Sequence, residues 1–165
     1  MRRFIAVIAV GNLAWECAQL PLYTLWRTGS VSQIAFAVFH CTGGDILIAA
    51  ATLVGSLLLL GTAGWPSNRY LPVAGATLLS GILTTAYSEH VNIARGAWTY
   101  SELMPLLPGT DIGLAPLAQW IVIPLLAFVV VRPPHPLSGI DLPIMGVTTS
   151  ATTPGHVARS HRSRS

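Results

Sequence analysis

The chain is short of charged side chains and has no lysine. Acidic and basic residues make up only 9% of its 165 residues, whereas a soluble domain carries about a quarter, because its surface must be hydrated. Hydrophobic residues account for 52%, and the mean hydropathy is +0.61. So few polar side chains cannot cover a water-soluble surface. The composition therefore predicts a membrane protein, with the lipid bilayer as its first partner.

Several sequence signals of function are also missing. The nine arginines form no basic face, so nucleic acid is not expected as a partner. Two cysteines in apolar segments do not make a disulfide framework. We find none of the spacings typical of metal ligands, catalytic serines, phosphate loops or dinucleotide-binding loops, so no metal is predicted. The motifs leave the cofactor unknown and do not decide whether the chain is an enzyme.

Four apolar segments are long enough to cross a membrane. A bilayer core of about 30 Å requires roughly 20 residues of helix, and Ser30 with Gln33 forms a capping-box pair before the second segment. We therefore predict an all-α fold over residues 1–132, a four-helix transmembrane bundle. The expected spans are about 4–25, 33–61, 71–90 and 114–131.

Two segments lie outside these spans. In the long linker between the third and fourth spans, Thr99 and Glu102 match a capping box, and Pro108-Gly109 follows. We therefore expect a short interfacial helix between helices 3 and 4, lying among the headgroups or folded back over the bundle. The composition of residues 133–165, rich in Pro, Ser, Thr and Arg, predicts a disordered C-terminal tail.

Polar residues recur along one face of the first span. Asn12, Glu16, Gln19 and Tyr23 are spaced by four, three and four residues, which places them on one side of a helix. An ionisable group in the membrane costs about 2.5–3.5 kcal/mol on insertion scales for Asp, Lys and Arg. Glu16 should therefore turn inward and find a partner. The alternative is that the stripe only joins helices by hydrogen bonds.

The other spans contribute polar residues at a similar depth. His40 and Asp45 lie early in the second span, five residues or about 140° apart, so they face one point only if Gly43-Gly44 distorts the helix. Glu89 lies late in the third span and Gln119 early in the fourth. We expect these groups to form one buried site. Its candidate catalytic residues are Glu16, Asp45, His40 and Glu89, and its candidate substrate-binding residues are Asn12, Gln19, Tyr23, Trp98 and Gln119.

Three segments also carry a resemblance: NLAWECAQLPLY from Asn12 to Tyr23, HCTGGD from His40 to Asp45, and SELMP from Ser101 to Pro105. In these segments the chain resembles small, uncharacterised multi-pass inner-membrane proteins of bacteria. The resemblance covers about residues 1–131. It implies a location in the bacterial inner membrane, and it brings no activity or site residues.

Three functions are compatible with these patterns. The first is an outward-facing buried polar site that binds or acts on a small or lipidic molecule. The second is a transporter or proton relay, which with only four spans would have to work as a homo-oligomer. The third is an accessory or assembly subunit without chemistry of its own. A polar cluster that ends inside the membrane favours the first function, and a polar path across it favours the second.

The arginines predict the orientation of the chain, because positive residues favour the cytoplasmic side. With four spans, seven arginines lie on the side of the termini and two, Arg27 and Arg95, on the other. Both termini should therefore be cytoplasmic. Alkaline phosphatase fused after Arg132 should remain inactive, whereas the same reporter placed after Arg95 should be active. An active fusion after Arg132 would contradict the four-span topology.

Overall fold

The computed structural model describes residues 1–132; the expected disordered tail, 133–165, lies outside the described residues. Within the described part, the chain is helical and its only extended pairings are isolated bridges. The elements, in chain order, are α1 (Arg2–Gln19), a 3-10 turn (Leu20–Leu22), α2 (Leu25–Thr28), α3 (Val31–Leu60), α4 (Tyr70–Ala94) and α5 (Leu114–Val131).

Four helices are long and apolar enough to cross a membrane: α1 with its 3-10 turn, α3, α4 and α5. Helix α1 packs against α3 and α5, and α4 packs against the same two helices. The four spans therefore form a closed bundle. This confirms the predicted all-α four-helix bundle, and it makes the chain a multi-pass membrane protein. We call the end of the bundle that carries residues 95–113 the linker end, and the opposite end the terminal end.

The second and fourth spans agree closely with the predicted bounds. Gln33 N donates to Ser30 Oγ at 3.4 Å and Ser30 N donates to Gln33 Oε1 at 2.8 Å, which is the predicted capping box. Helix α3 then continues without interruption through Gly43 and Gly44. Helix α4 extends one turn beyond the predicted end at residue 90 and stops at Ala94.

The first span is shorter than predicted. Its α-helix stops at Gln19, a 3-10 turn follows, and Tyr23 is extended with φ −113° and ψ 145°. Pro21 lies in that turn, where its missing N–H and the clash of its ring with the carbonyl of Cys17 interrupt the α-helical hydrogen bonds. The predicted helix to residue 25 is therefore wrong. The chain instead forms the one-turn helix α2 before it enters α3.

The apolar core fills the terminal end of the bundle. Phe4 on α1 packs its ring against Phe128 on α5, with the centroids 5.0 Å apart. Tyr70 at the start of α4 donates its hydroxyl to the carbonyl oxygen of Phe128 at 2.6 Å. Ile8 and Leu53 are fully buried beside them. These contacts between α1, α3, α4 and α5 hold this end together by packing.

The linker does not form the predicted interfacial helix. Among residues 95–113 there are turns and isolated bridges but no helix. Ser101 N donates to the Leu22 carbonyl at 2.8 Å, and Thr24 N donates to the Thr99 carbonyl at 3.0 Å. The backbone around Thr99 therefore pairs with the connection between α1 and α2, and this pairing replaces the capping box. The linker folds back onto that connection.

Helices α4 and α5 approach closely at Gly81. A Cβ atom there would lie 2.4 Å from two ring carbons of Trp120, whereas a Cβ at Gly75 on the same helix would meet nothing within 4 Å. We expect Gly81→Ala to destabilise the bundle by about 1–3 kcal/mol, the usual cost of overpacking. Gly75→Ala should leave the stability equal or slightly higher. Thermal unfolding of both variants in detergent measures this, and equal melting temperatures would contradict the close approach.

Candidate functional site

The Gln119 side chain is the centre of a buried polar cluster. It lies early in α5 and is 2% exposed. Its Nε2 atom is 2.8 Å from Asn12 Oδ1, 3.1 Å from Glu16 Oε1 and 2.9 Å from Asp45 Oδ2. One amide therefore joins α1, α3 and α5. We call Asn12, Glu16, Gln19, Asp45, Gln119 and Trp120 the amide–carboxylate cluster.

The polar stripe of α1 faces this cluster. Asn12, Glu16 and Gln19 are all buried. Gln19 Nε2 lies 3.0 Å from Glu16 Oε1 and 3.3 Å from Gln119 Oε1, and Asn12 donates to the carbonyl of Ile8 at 2.8 Å. The inward direction predicted from the spacing is therefore observed, and the partner of Glu16 is a pair of glutamine amides.

Trp120 completes the cluster, and the sequence did not point to that role. Its indole N–H donates to Asp45 Oδ1 at 3.0 Å, while Gln119 donates to the other oxygen of the same carboxylate. From the sequence alone, Trp120 is as compatible with an interface anchor or a packing residue as with a functional one. The available signal was that Asp45, an acid within an apolar span, needs a donor and that Trp120 follows the polar Gln119.

Glu89 lies in a second group of contacts at the linker end. Its carboxylate accepts hydrogen bonds from the Tyr100 hydroxyl and from Trp98 Nε1, the latter at 3.4 Å. The Tyr100 oxygen in turn accepts from Gly113 N at 3.1 Å. Burial raises the pKa of Tyr100, and the neighbouring Glu89 raises it further, so the phenol keeps its proton and acts as a donor. The sequence predicted Trp98 here but not Tyr100.

A cavity of about 690 Å³ separates these two groups. All four spanning helices and the linker contribute to its wall. Asn12 is not in the wall and contacts the site only through Gln119. The other predicted site residues all line the cavity: Glu16, Gln19, Tyr23, His40, Asp45, Glu89, Trp98 and Gln119.

His40 lines the cavity but is not part of the polar cluster. It is exposed, and its ring stacks on Phe36 at a centroid distance of 5.3 Å and an angle of 15°. Within residues 1–132 no hydrogen bond joins His40 to a carboxylate. Since α3 stays regular at Gly43-Gly44, His40 and Asp45 remain about 140° apart around the helix axis. His40 therefore lies on the wall of the same cavity as the carboxylates but outside the amide–carboxylate cluster.

Tyr23 contributes to the site through its ring. It lies after the end of α1, and its centroid is 5.4 Å from that of Tyr100. Burial raises the pKa of Tyr23, so its hydroxyl stays protonated. The two tyrosines form a wall between the cavity and the linker.

The wall presents carboxylates, amides and aromatic side chains, and such groups can form hydrogen bonds. Among the described residues, no group of three or more His, Cys, Asp or Glu side chains is arranged to hold a metal ion. Comparisons with protein-family models, curated proteins and solved structures found no match to this chain. The cavity and its carboxylates are therefore the features from which a function can be inferred.

Removing the central amide should loosen the bundle. An interhelical hydrogen bond in a membrane contributes on average about 0.6 kcal/mol and at most about 1.7 kcal/mol. We expect Gln119→Met, which leaves Glu16 and Asp45 without that donor, to lower the free energy of unfolding by about 1–3 kcal/mol. Val122→Met places the same side chain on an exposed position of the same helix and should change it by less than about 0.5 kcal/mol. Chemical denaturation in mixed micelles compares the two, and equal stability would show that the amide does not hold the helices together.

Proposed function

We propose that this protein lies in the bacterial inner membrane, with both termini in the cytoplasm, and that its cavity binds or acts on a small or lipidic molecule. In this orientation the linker end faces away from the cytoplasm. The observation that carries the proposal is the cavity of about 690 Å³ between the carboxylates of Glu16, Asp45 and Glu89.

The size and lining of the cavity support this function. Ligand sites commonly measure about 300–1,000 Å³ and combine an apolar wall with a few polar groups that orient the ligand. Leu20, Phe36, Val38 and Ile48 supply apolar surface here, and the carboxylates and amides supply polar groups. A cluster that only joined helices would not need a cavity beside it.

In this proposal the residues have distinct roles. Glu16 and Asp45 share the Gln119 amide and are the candidate acid–base groups, with Glu89 on the opposite wall. Gln19 and Gln119 orient the polar part of the ligand. Tyr23 and Trp98 contact the ligand near the linker, and His40 borders it on the exposed side of α3.

The terminal end of the bundle favours a binding site over a transport path. Beyond the cluster, the described helices are closed by a buried apolar core that includes Phe4, Ile8, Leu53 and Val73. A polar ligand or ion would have to cross this core to reach the other side. The buried polar side chains on that side of the described bundle are the hydroxyls of Ser56 and Thr77, and no carboxylate or amide is buried there. This supports a site that ends inside the membrane.

Two neighbouring glycines allow a matched test. A Cβ atom at either Gly43 or Gly44 meets nothing within 4 Å, but only Gly44 lines the cavity. Gly44→Leu should fill the cavity without disturbing α3, because leucine favours helix more than glycine does. We expect Gly44→Leu to be inserted and folded yet to reduce complementation of the gene-deletion phenotype at least tenfold.

Gly43→Leu is the control and should complement fully. Expression and folding of both variants are checked by size-exclusion chromatography in detergent. Native mass spectrometry adds a direct measurement: a small molecule or lipid that copurifies with the wild type and with Gly43→Leu should be missing from Gly44→Leu. Full complementation by Gly44→Leu would overturn the proposed function.

A further inference from the structure

The cavity wall has more hydrogen-bond acceptors than donors. Gln119 Nε2 has two N–H groups but faces three acceptors, on Asn12, Glu16 and Asp45. Gln19 Nε2 is directed at Glu16 Oε1 and Gln119 Oε1. The orientation of both amides is fixed, because a flipped amide would turn its carbonyl oxygen toward a carboxylate. The N–H groups of both amides are therefore used within the cluster.

Two buried atoms have no hydrogen-bond partner among the described residues and belong to side chains that line the cavity. They are Gln19 Oε1 on α1 and Thr85 Oγ1 on α4. Both side chains are only 6% exposed, and both line the cavity. An unsatisfied buried polar atom is costly, so native structures usually provide a partner. A carbonyl oxygen such as Gln19 Oε1 can only accept. Its missing partner is therefore a hydrogen-bond donor.

The charge of the cavity wall also favours a ligand that donates hydrogen bonds. Three carboxylates line the cavity, while its described lining includes no arginine and the whole chain contains no lysine. Inside a membrane an uncompensated carboxylate is expensive, and a bound cation offsets that cost. Tyr23, Phe36, Trp98 and Trp120 also line the cavity, and aromatic faces attract organic cations.

We propose that the ligand of this cavity carries a protonated amine, which donates a hydrogen bond to Glu16 Oε2, with its apolar part against the apolar wall. An ammonium group has three donors and no acceptor, which complements the surplus of acceptors. Both amides that reach Glu16 donate to Oε1, which leaves Oε2 for the ligand. This inference rests on the proposed binding function and adds the chemical class of the ligand. Free alkylamines and amine-headed lipids share this chemistry.

Three probes of equal length test the charge preference. The full chain in phosphatidylcholine nanodiscs is titrated with n-hexylammonium, hexanol and hexanoate, and thermal unfolding and tryptophan fluorescence are recorded. Hexylammonium should raise the melting temperature in a saturable manner, at a concentration at least tenfold below that required for hexanol. Hexanoate should have no saturable effect, because like charges repel in the cavity.

Two carboxyl-to-amide variants provide the matched comparison. Glu16→Gln removes a cavity carboxylate but retains an acceptor for the amides, whereas Glu102→Gln makes the same change at an exposed position outside the cavity. The apparent Kd for hexylammonium should rise at least tenfold in Glu16→Gln and stay unchanged in Glu102→Gln. If Glu16→Gln does not fold, Gly44→Leu keeps every carboxylate and must also lose the saturable shift.

A lipid arm distinguishes the two sources of the amine. Phosphatidylethanolamine is mixed into the nanodiscs, and lipids retained after extraction are compared by native mass spectrometry. Retention by the wild type but not by Gly44→Leu identifies an amine-headed lipid, and binding of hexylammonium without such retention identifies a free amine. Equal effects of hexylammonium and hexanol, or an unchanged Kd in Glu16→Gln, would overturn this inference. The proposed function would still stand if Gly44→Leu alone failed to complement.

Discussion

The need to give buried carboxylates a hydrogen-bond donor constrains the rest of this structure. The hydrocarbon core of a membrane offers no such donor, so Glu16 on α1 and Asp45 on α3 must find one within the bundle. Helix α5 supplies both donors from adjacent positions, the amide of Gln119 and the indole of Trp120. A rotation of α5 about its axis would remove both at once. The rotational position of α5 is therefore fixed by hydrogen bonds at the linker end and by the contact of Phe128 with Phe4 at the terminal end.

Packing and hydrogen bonding meet at Trp120. Its ring lies against the backbone of α4 at Gly81, where any side chain would collide with it, and its N–H reaches across to Asp45. The close approach of α4 and α5 thus positions the Trp120 N–H that donates to Asp45 on α3. Toward the terminal end the same helices close over an apolar core, and toward the linker end they leave a cavity. The boundary between packed and open parts of the bundle lies at the amide–carboxylate cluster.

The sequence predicts those parts of this molecule that depend on local pattern. The bounds of α3 and α5 follow from long apolar runs that start directly after Ser30 and Gly113. The spacing of Asn12, Glu16 and Gln19 correctly indicates one buried face of α1. Prediction from the sequence fails where contacts between distant segments override a local signal. Thr99 and Glu102 match a capping box, yet the chain there pairs with Leu22 and Thr24, far away in sequence. Trp120 and Tyr100 were not among the predicted site residues for the same reason, since each joins the candidate site through a carboxylate that is distant in sequence or on a separate element.

The three carboxylates of the cavity differ in how their donors are held, and this difference decides which of them can meet a ligand. Glu89 receives its donors from Trp98 and Tyr100, and Tyr100 is itself fixed by Gly113 and by its ring contact with Tyr23. Both donors reach Glu89 Oε2, so Oε1 accepts no hydrogen bond from the described residues. Asp45 receives one donor from α5 on each oxygen, so neither of its oxygens is without a hydrogen bond. At Glu16 both amides share one oxygen, so the second can accept a new donor without any helix or linker contact being broken. Glu16 Oε2 and Glu89 Oε1 are therefore the carboxylate oxygens at which a cationic group can be accepted without displacing a donor.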